Sequence, residues 1–221
     1  MKVKFIAAIL AVCGIAIFSA TASASTKGNW NLDHANSAAS AIAGHSVAVY
    51  CEDSWGEWVD VTRAFGYPSG DGLYGFTFQP GITDPFGNFN AIYLNPQSCY
   101  ALHVFDYNGW GSNRAVTDAG ISVLAYAFIA LTHEAQHQAG VTDEGQAQCN
   151  AITMLTQGNA LTSIYGISPR ISTWRYVLKH TKHSVRIVKV RQMVTNPIYT
   201  EMLSWINGIH SDDPPEYKTV C

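Results

Sequence analysis

Charge is scarce in this chain. Asp, Glu, Lys and Arg make up 13% of its 221 residues, and the net charge is −3. Such sparse charge, beside 48% hydrophobic residues, excludes a disordered acidic or basic tail and favours a packed core. There is no overall basic excess, so nothing points to a nucleic-acid partner. No Cys-x-x-Cys pair occurs among Cys13, Cys51, Cys99, Cys149 and Cys221, which argues against a cysteine-ligated structural metal. There is no internal repeat. Beyond the N-terminus no apolar run approaches the roughly 20 residues of a membrane span. The run Ile121–Leu131 is too short and leads into polar residues, so stable membrane insertion is not expected.

What is present begins with an address. Lys2 and Lys4 precede an apolar stretch from Phe5 to Phe18, and Ala22-Ser23-Ala24 follows. This is the three-part pattern of a secretory signal peptide, with cleavage expected after Ala24. The organisation expected is a signal peptide at 1–24, a flexible Ala/Ser/Asn/Gly-rich linker or weak helix at 25–44, and one domain at 45–221. Cys13 would leave with the signal. Four cysteines then remain in an exported chain, enough for two disulfides. The pairing expected is Cys51–Cys99 and Cys149–Cys221.

The first half reads as β-rich. Strands are expected at His45–Cys51, Trp58–Val61, Leu73–Phe78 and Ala91–Leu94, with Cys99–Phe105 as a helix or an edge strand. The second half reads as helical. One long helix is expected from about Asp118 to Ala139, capped by Thr117 and ended by Gly140. Another follows from Thr142 or Asp143 towards Gly158, and two more are expected at Thr173–His183 and Tyr199–Ile206. The order implies an α+β domain.

Within the long helix stands His133-Glu134-Ala135-Gln136-His137. Histidines four apart share one helix face, so both imidazoles can reach one metal ion. Glu134 projects roughly 100° around the axis from His133, beside the ion without ligating it. A catalytic zinc takes three protein ligands and leaves a position for water, whose proton a neighbouring carboxylate can take. The third ligand must come from beyond Gly140, where the chain can reverse. Asp143 and Glu144 are the first carboxylates there. Asp143 matches the third-ligand spacing of metzincins, but it also suits a helix cap, with Gln146 three residues on. Glu144 opens the next helix, as the glutamate ligand does in gluzincins. Glu144 is preferred and Asp143 is the alternative.

The segment His133–Ala151, with Ile92-Tyr93-Leu94-Asn95-Pro96 and Cys99 upstream, resembles a group of poorly characterised exported actinobacterial proteins with a zincin-like core. The shared pattern is His-Glu-x-x-His-x-x-Gly, then Asp/Asn-Glu-Ala, then Glu-Cys-x-Ala. The resemblance covers about Cys51 to Met154. It implies a zincin-like fold, a small antiparallel sheet packed on a long active-site helix with further helices C-terminal to it. It also implies Zn2+, with His133, His137 and Glu144 as ligands and Glu134 as general base. The chain departs from the pattern at Gly145, where Ala is usual, and at Gln148, where Glu is usual.

The function expected is that of a secreted, monomeric zinc metallopeptidase acting on a peptide or protein, with cell-wall peptides as a related substrate class. The alternative is a secreted surface-binding or structural module with a structural or vestigial zinc site. Tyr165, Tyr176, His180 and His183 are remote candidates for stabilising an oxyanion. Met154 is a candidate floor for the metal, and the loops around Trp55, Trp58 and Trp110 are candidates for lining a cleft. Each reads more simply as core or surface. The basic stretch around Lys179, Lys182, Arg186, Lys189 and Arg191 reads first as a solvated helix face, and second as a site for an anionic surface.

Overall fold

The computed structural model describes residues 30, 32–52, 54–67, 73–181 and 184–212. The expected signal peptide, its cleavage site and Cys221 lie outside these residues. The architecture is α+β, with a small three-stranded sheet, a separate two-stranded hairpin, and helices that outweigh both.

The organising element is α5, Ile121–Gln138. Leu124, Ala125, Ala127, Phe128 and Leu131 are fully buried, as befits a helix apolar nearly all round. It packs against α1 (Asp33–Ala43), α3 (Pro96–Tyr107), α6 (Glu144–Thr156) and α8 (Pro197–Asp212). No single helix among the described residues is long and apolar enough to cross a membrane.

The sheet has the order β1-β3-β2, with β1 at Ala48–Cys51, β2 at Gly75–Thr77 and β3 at Ala91–Leu94. It is mixed rather than antiparallel. β1 runs parallel to β3, and β2 antiparallel to it. All four residues of the central strand are buried, and their alternation serves two cores. Ile92 and Leu94 join the main helical core, while Ala91 and Tyr93 join a smaller cluster with Trp58, Val61 and Phe76. A disulfide joins Cys51 to Cys99, tying β1 to α3. Cys149 is also disulfide-bonded.

Several local expectations are corrected. Of the linker or weak helix expected at 25–44, residues 33–43 are a helix, and one built into the core rather than flexible. Ala35, Ala38 and Ala39 are buried, since small side chains let the helix approach α5 closely. Trp58–Val61 is not a strand but part of α2, Trp55–Ala64. Ser54 and Glu57 form a reciprocal capping box at its start, a signature that overrides the β-propensity of Trp and Val. The long helix does not start at Asp118. Gly120, at φ +84° and ψ 118°, breaks it into α4 (Asn113–Ala119) and α5, at 96° to each other. Thr117 lies inside α4, with its hydroxyl donating to the Asn113 carbonyl. The helix expected at Thr173–His183 is a strand over its residues 173–180. Arg170–His180 is β4, paired antiparallel with β5, Val185–Thr195, because β-branched residues recur through both segments.

Candidate metal centre and cleft

The C-terminal end of α5 builds the site. Gly140 sits at φ +95°. Its N–H donates to the His137 carbonyl, and the Val141 N–H donates to the Gln136 carbonyl. This is a complete Schellman closure. It turns the chain sharply enough to bring the start of α6 back over His133 and His137. Asp143 caps α6, accepting from the Gln146 N–H at 2.8 Å. Glu144, the next residue, faces the two histidines.

His133 Nε2 and Glu144 Oε2 are 3.1 Å apart, His137 Nε2 and Glu144 Oε2 are 3.4 Å apart, and the two Nε2 atoms are 3.1 Å apart. His133, His137 and Glu144 thus form a group that could hold a metal ion. Asp143 is committed to its cap and is not part of the group.

Each imidazole is oriented from behind. His137 Nδ1 lies 2.6 Å from the Val141 carbonyl oxygen, and His133 Nδ1 lies 3.1 Å from Gln148 Oε1. Both partners are acceptors, so each Nδ1 carries the hydrogen and each Nε2 is left to face the group. Gln148, at first only a departure from a pattern, therefore has a specific position. Its spacing of four from Glu144, one turn along α6, was the signal available in the sequence.

The electrostatics are those of polar groups gathered tightly together. Hydrogen bonds from His133 and then His137 hold the Glu144 carboxyl well below the usual carboxylate range. Burial pushes His137 down, but its hydrogen bonds to Glu144 and the Val141 carbonyl outweigh this and raise it to about 9. Glu134 behaves differently. It is 7% exposed. Desolvation raises it to about 7, with His133 and His137 acting in the opposite direction. A buried carboxyl poised near neutrality beside two imidazoles is suited to exchange protons.

Glu134, His137, Thr142 and Glu144 line one side of a cleft of about 470 Å³, and Tyr67, Leu73 and β2 line the other. β2 is an edge strand of its sheet. It is held to the end of α5 by Gln138, whose Nε2 donates to Thr77 Oγ1 and to the Phe78 carbonyl. Gly75 lies directly over Glu134. A Cβ placed there would meet Leu94 Cδ2 at 2.8 Å and Glu134 Cγ at 3.1 Å. None of Tyr67, Gly75, Thr77 or Gln138 was singled out from sequence. They come from another part of the chain and carry no motif.

The remote candidates are not brought to the cleft. Tyr165 is fully buried, hydrogen-bonded through its hydroxyl to Thr132 Oγ1. Tyr176 and His180 lie exposed on the hairpin, and His183 is outside the described residues. Met154 packs on the core, its sulfur accepting from Gln136 Nε2. Trp58 and Trp110 pack into the two clusters, and Trp55 is exposed.

A scan against protein-family models, a search of curated proteins and a search of solved structures return no match to this chain.

Proposed function

We propose that the chain is an exported zinc-dependent hydrolase of zincin-like type, cleaving peptide bonds. The observation that carries this reading is the placement of Glu134. It is a buried carboxyl without a hydrogen-bond partner among the described residues, beside a metal-capable group and open to a cleft.

The donor set fits zinc. Zinc takes imidazole nitrogen and carboxylate oxygen at about 2.0–2.1 Å, so a tetrahedral site has ligand-to-ligand edges of about 3.3–3.4 Å. The three edges here are 3.1, 3.1 and 3.4 Å. Three protein ligands leave one tetrahedral position for solvent or substrate, the arrangement of a catalytic rather than a closed structural site. When bound, the ion supplies Lewis acidity that polarises a carbonyl and acidifies water.

The remaining work falls to the chain itself. Glu134, in its ionised form, takes a proton from the attacking water as oxygen bonds to the scissile carbonyl carbon. It then passes the proton to the departing amine as the C–N bond breaks. Gln148 and the Val141 carbonyl keep the two imidazoles from rotating. The edge of β2 offers backbone groups along the cleft, where an extended peptide can add as a further strand. That edge favours a peptide over a small soluble ester. Amide bonds in cell-wall peptides use the same chemistry and remain within the substrate class.

The test is a peptide-library cleavage assay on purified protein, paired with metal analysis. The expected result is about one zinc per chain, cleavage abolished by chelator and restored by zinc, and loss of cleavage in Glu134→Gln with zinc retained. Cleavage by Glu134→Gln equal to wild type would sink the mechanism. A chain that takes up zinc in a fully closed coordination shell and cleaves nothing would favour the structural-module alternative.

A further inference from the structure

The hairpin β4–β5 is the most unusual surface of the molecule. Each strand is 11 residues long, so the ribbon extends about 35 Å. Outside their mutual pairing, the strands pack substantially on no other named element among the described residues. Between Arg170 and Thr195 there is no Asp or Glu, yet the segment holds more than half of the chain's 13 Lys and Arg.

The register sorts these side chains by face. Trp174 is opposite Arg191, Tyr176 opposite Lys189, and Leu178 opposite Ile187. Directly opposed residues of an antiparallel pair lie on the same face, and alternate residues of a strand do too. All six therefore share one face. Lys189 Nζ lies 4.7 Å from the Trp174 ring centroid, and the Arg191 guanidinium lies 5.4 Å from it. Leu178 and Ile187 are 63% and 70% exposed. The opposite face sets half-exposed Val177, Val188 and Val190 among exposed Arg175, Lys179 and Arg186 and offers no exposed aliphatic pair.

We infer that this face of the hairpin is a docking surface for an anionic phospholipid bilayer. Charge complementarity selects a negative partner, because the segment carries seven of the chain's 13 Lys and Arg and no compensating carboxylate.

 On this face the cations gather at one end, Lys189 and Arg191 by Trp174 with Arg170 beyond, and the aliphatic pair lies next to them; the hairpin itself has no carboxylate. A polyanionic polymer would satisfy Lys189 and Arg191 but leave Leu178 and Ile187 in water. A bilayer carrying anionic headgroups satisfies both, with the aliphatic pair pressed into the acyl boundary and Trp174, Tyr176 and the cations at headgroup level. The chain would lie on the membrane without crossing it. This surface is separate from the metal centre and does not depend on the reaction proposed there.

The experiment is co-sedimentation of the full chain with vesicles of phosphatidylglycerol and phosphatidylcholine, against vesicles of phosphatidylcholine alone. The expected result is binding to the anionic vesicles only, weakened by salt. Binding should fall at least ten-fold in Lys189→Glu/Arg191→Glu, and also in Leu178→Ser/Ile187→Ser. These side chains are exposed, so both variants should keep the wild-type thermal midpoint. All chains carry the same N-terminal residues, so any contribution from the apolar stretch Phe5–Phe18 is common to them. Brominated phospholipid should quench a fluorescence component that is missing in Trp174→Phe. Three results would overturn the proposal: no binding to anionic vesicles; binding lost in the charge variant but unchanged in the serine variant, which marks a polyanion site; or self-association of the free chain that the serine variant abolishes, which marks an interface with a second copy.

Discussion

Gln148 Oε1 stands 3.1 Å from Nδ1 of His133, whose opposite nitrogen, Nε2, stands 3.1 Å from Glu144 Oε2. The amide on α6 thus fixes the ring that α5 presents to the metal-capable group. Outer partners of this kind set the tautomer and orientation of a ligating histidine, and their removal typically costs 10–100-fold in metal affinity. Gln148→Ala is therefore expected to weaken zinc binding by about that factor with little change in secondary structure. Competition against a chromophoric chelator measures it. Unchanged affinity would mean that His133 needs no support from α6.

Gly75 makes a different prediction, about the proposed base Glu134 rather than the metal-capable group. A Cβ there falls 3.1 Å from Glu134 Cγ, 3.1 Å from the Tyr93 carbonyl oxygen and 2.8 Å from Leu94 Cδ2. Backbone on one side and a buried carboxyl on the other leave little room to yield. Gly75→Ala should displace Glu134 while His133, His137 and Glu144 keep their places. The expected outcome is a roughly ten-fold or greater fall in cleavage rate, as for loss of a well-placed general base, with zinc stoichiometry unaltered. Parallel loss of zinc would show that β2 supports the whole site rather than the base alone.

The contrast between these residues shows what the sequence could disclose. His133, His137 and Glu144 are close in the chain, on two helices joined by a Gly140 turn whose geometry follows from local rules. Their assembly could be anticipated from spacing. Asp143 was separated from Glu144 by its fitness as a cap, and it is the cap. Gly75, Thr77 and Gln138 meet only because the sheet folds back on α5, and no local pattern encodes that approach. The same limit explains the hairpin. The segment Trp174-Arg175-Tyr176-Val177-Leu178-Lys179 tolerates a helix locally, and only its partner Val185–Thr195 settles it as a strand. Gly120 is ambiguous locally, because glycine occurs within helices as well as between them. The Ser54–Glu57 capping box is legible as Ser-x-x-Glu spacing, and it competes with the β-propensity around Trp58.

The Cys51–Cys99 bond closes a loop between positions 48 residues apart and joins β1 to α3. In the chain-entropy account, closing such a loop is worth about 4 kcal/mol, and measured effects are often smaller. The double variant Cys51→Ala/Cys99→Ala is expected to lose about 2–4 kcal/mol of unfolding free energy, read from urea denaturation. Zinc affinity should change much less, because the metal-capable group lies on α5 and α6. A bridge that contributed only to the site would show the reverse pattern.

His137 links metal binding to pH. Without metal its Nε2 keeps a proton up to about 9, since the bonds to Glu144 and Val141 outweigh burial. A metal ion needs that nitrogen's lone pair, so binding at pH 7.5 must release the proton. Zinc affinity should therefore rise with pH until about 9 and then level off. Calorimetric titrations in buffers of different ionisation enthalpy measure the proton count directly. At pH 8 it should be near one, with Glu134 adding up to about half a proton as the pH falls to 7, and the His137 proton should be lost in His137→Ala along with tight binding. Zinc uptake without proton release would contradict the Glu144-linked form of His137.

Glu134 gives the prediction with the clearest sign. Its carboxyl ionises near 4.5 in an unfolded chain and near 7 when buried in the metal-free protein. Between those values the folded state holds the proton more tightly, so stability falls as pH rises from 4.5 to 7. Glutamine cannot ionise and escapes this loss. In chelator, Glu134→Gln should match wild type below pH 4.5, gain steadily above it, and be more stable by about 3 kcal/mol above pH 7. Urea unfolding at a series of pH values measures the difference. Zinc places a positive charge beside the carboxylate, so adding it should shrink the gap. A substitution that stabilises the empty protein while removing its proposed chemistry is the mark of a residue kept for reaction rather than for folding. Equal stability of the two chains at pH 8 would show that the Glu134 carboxylate is solvated in the folded state, and would remove the ground for treating it as a poised base.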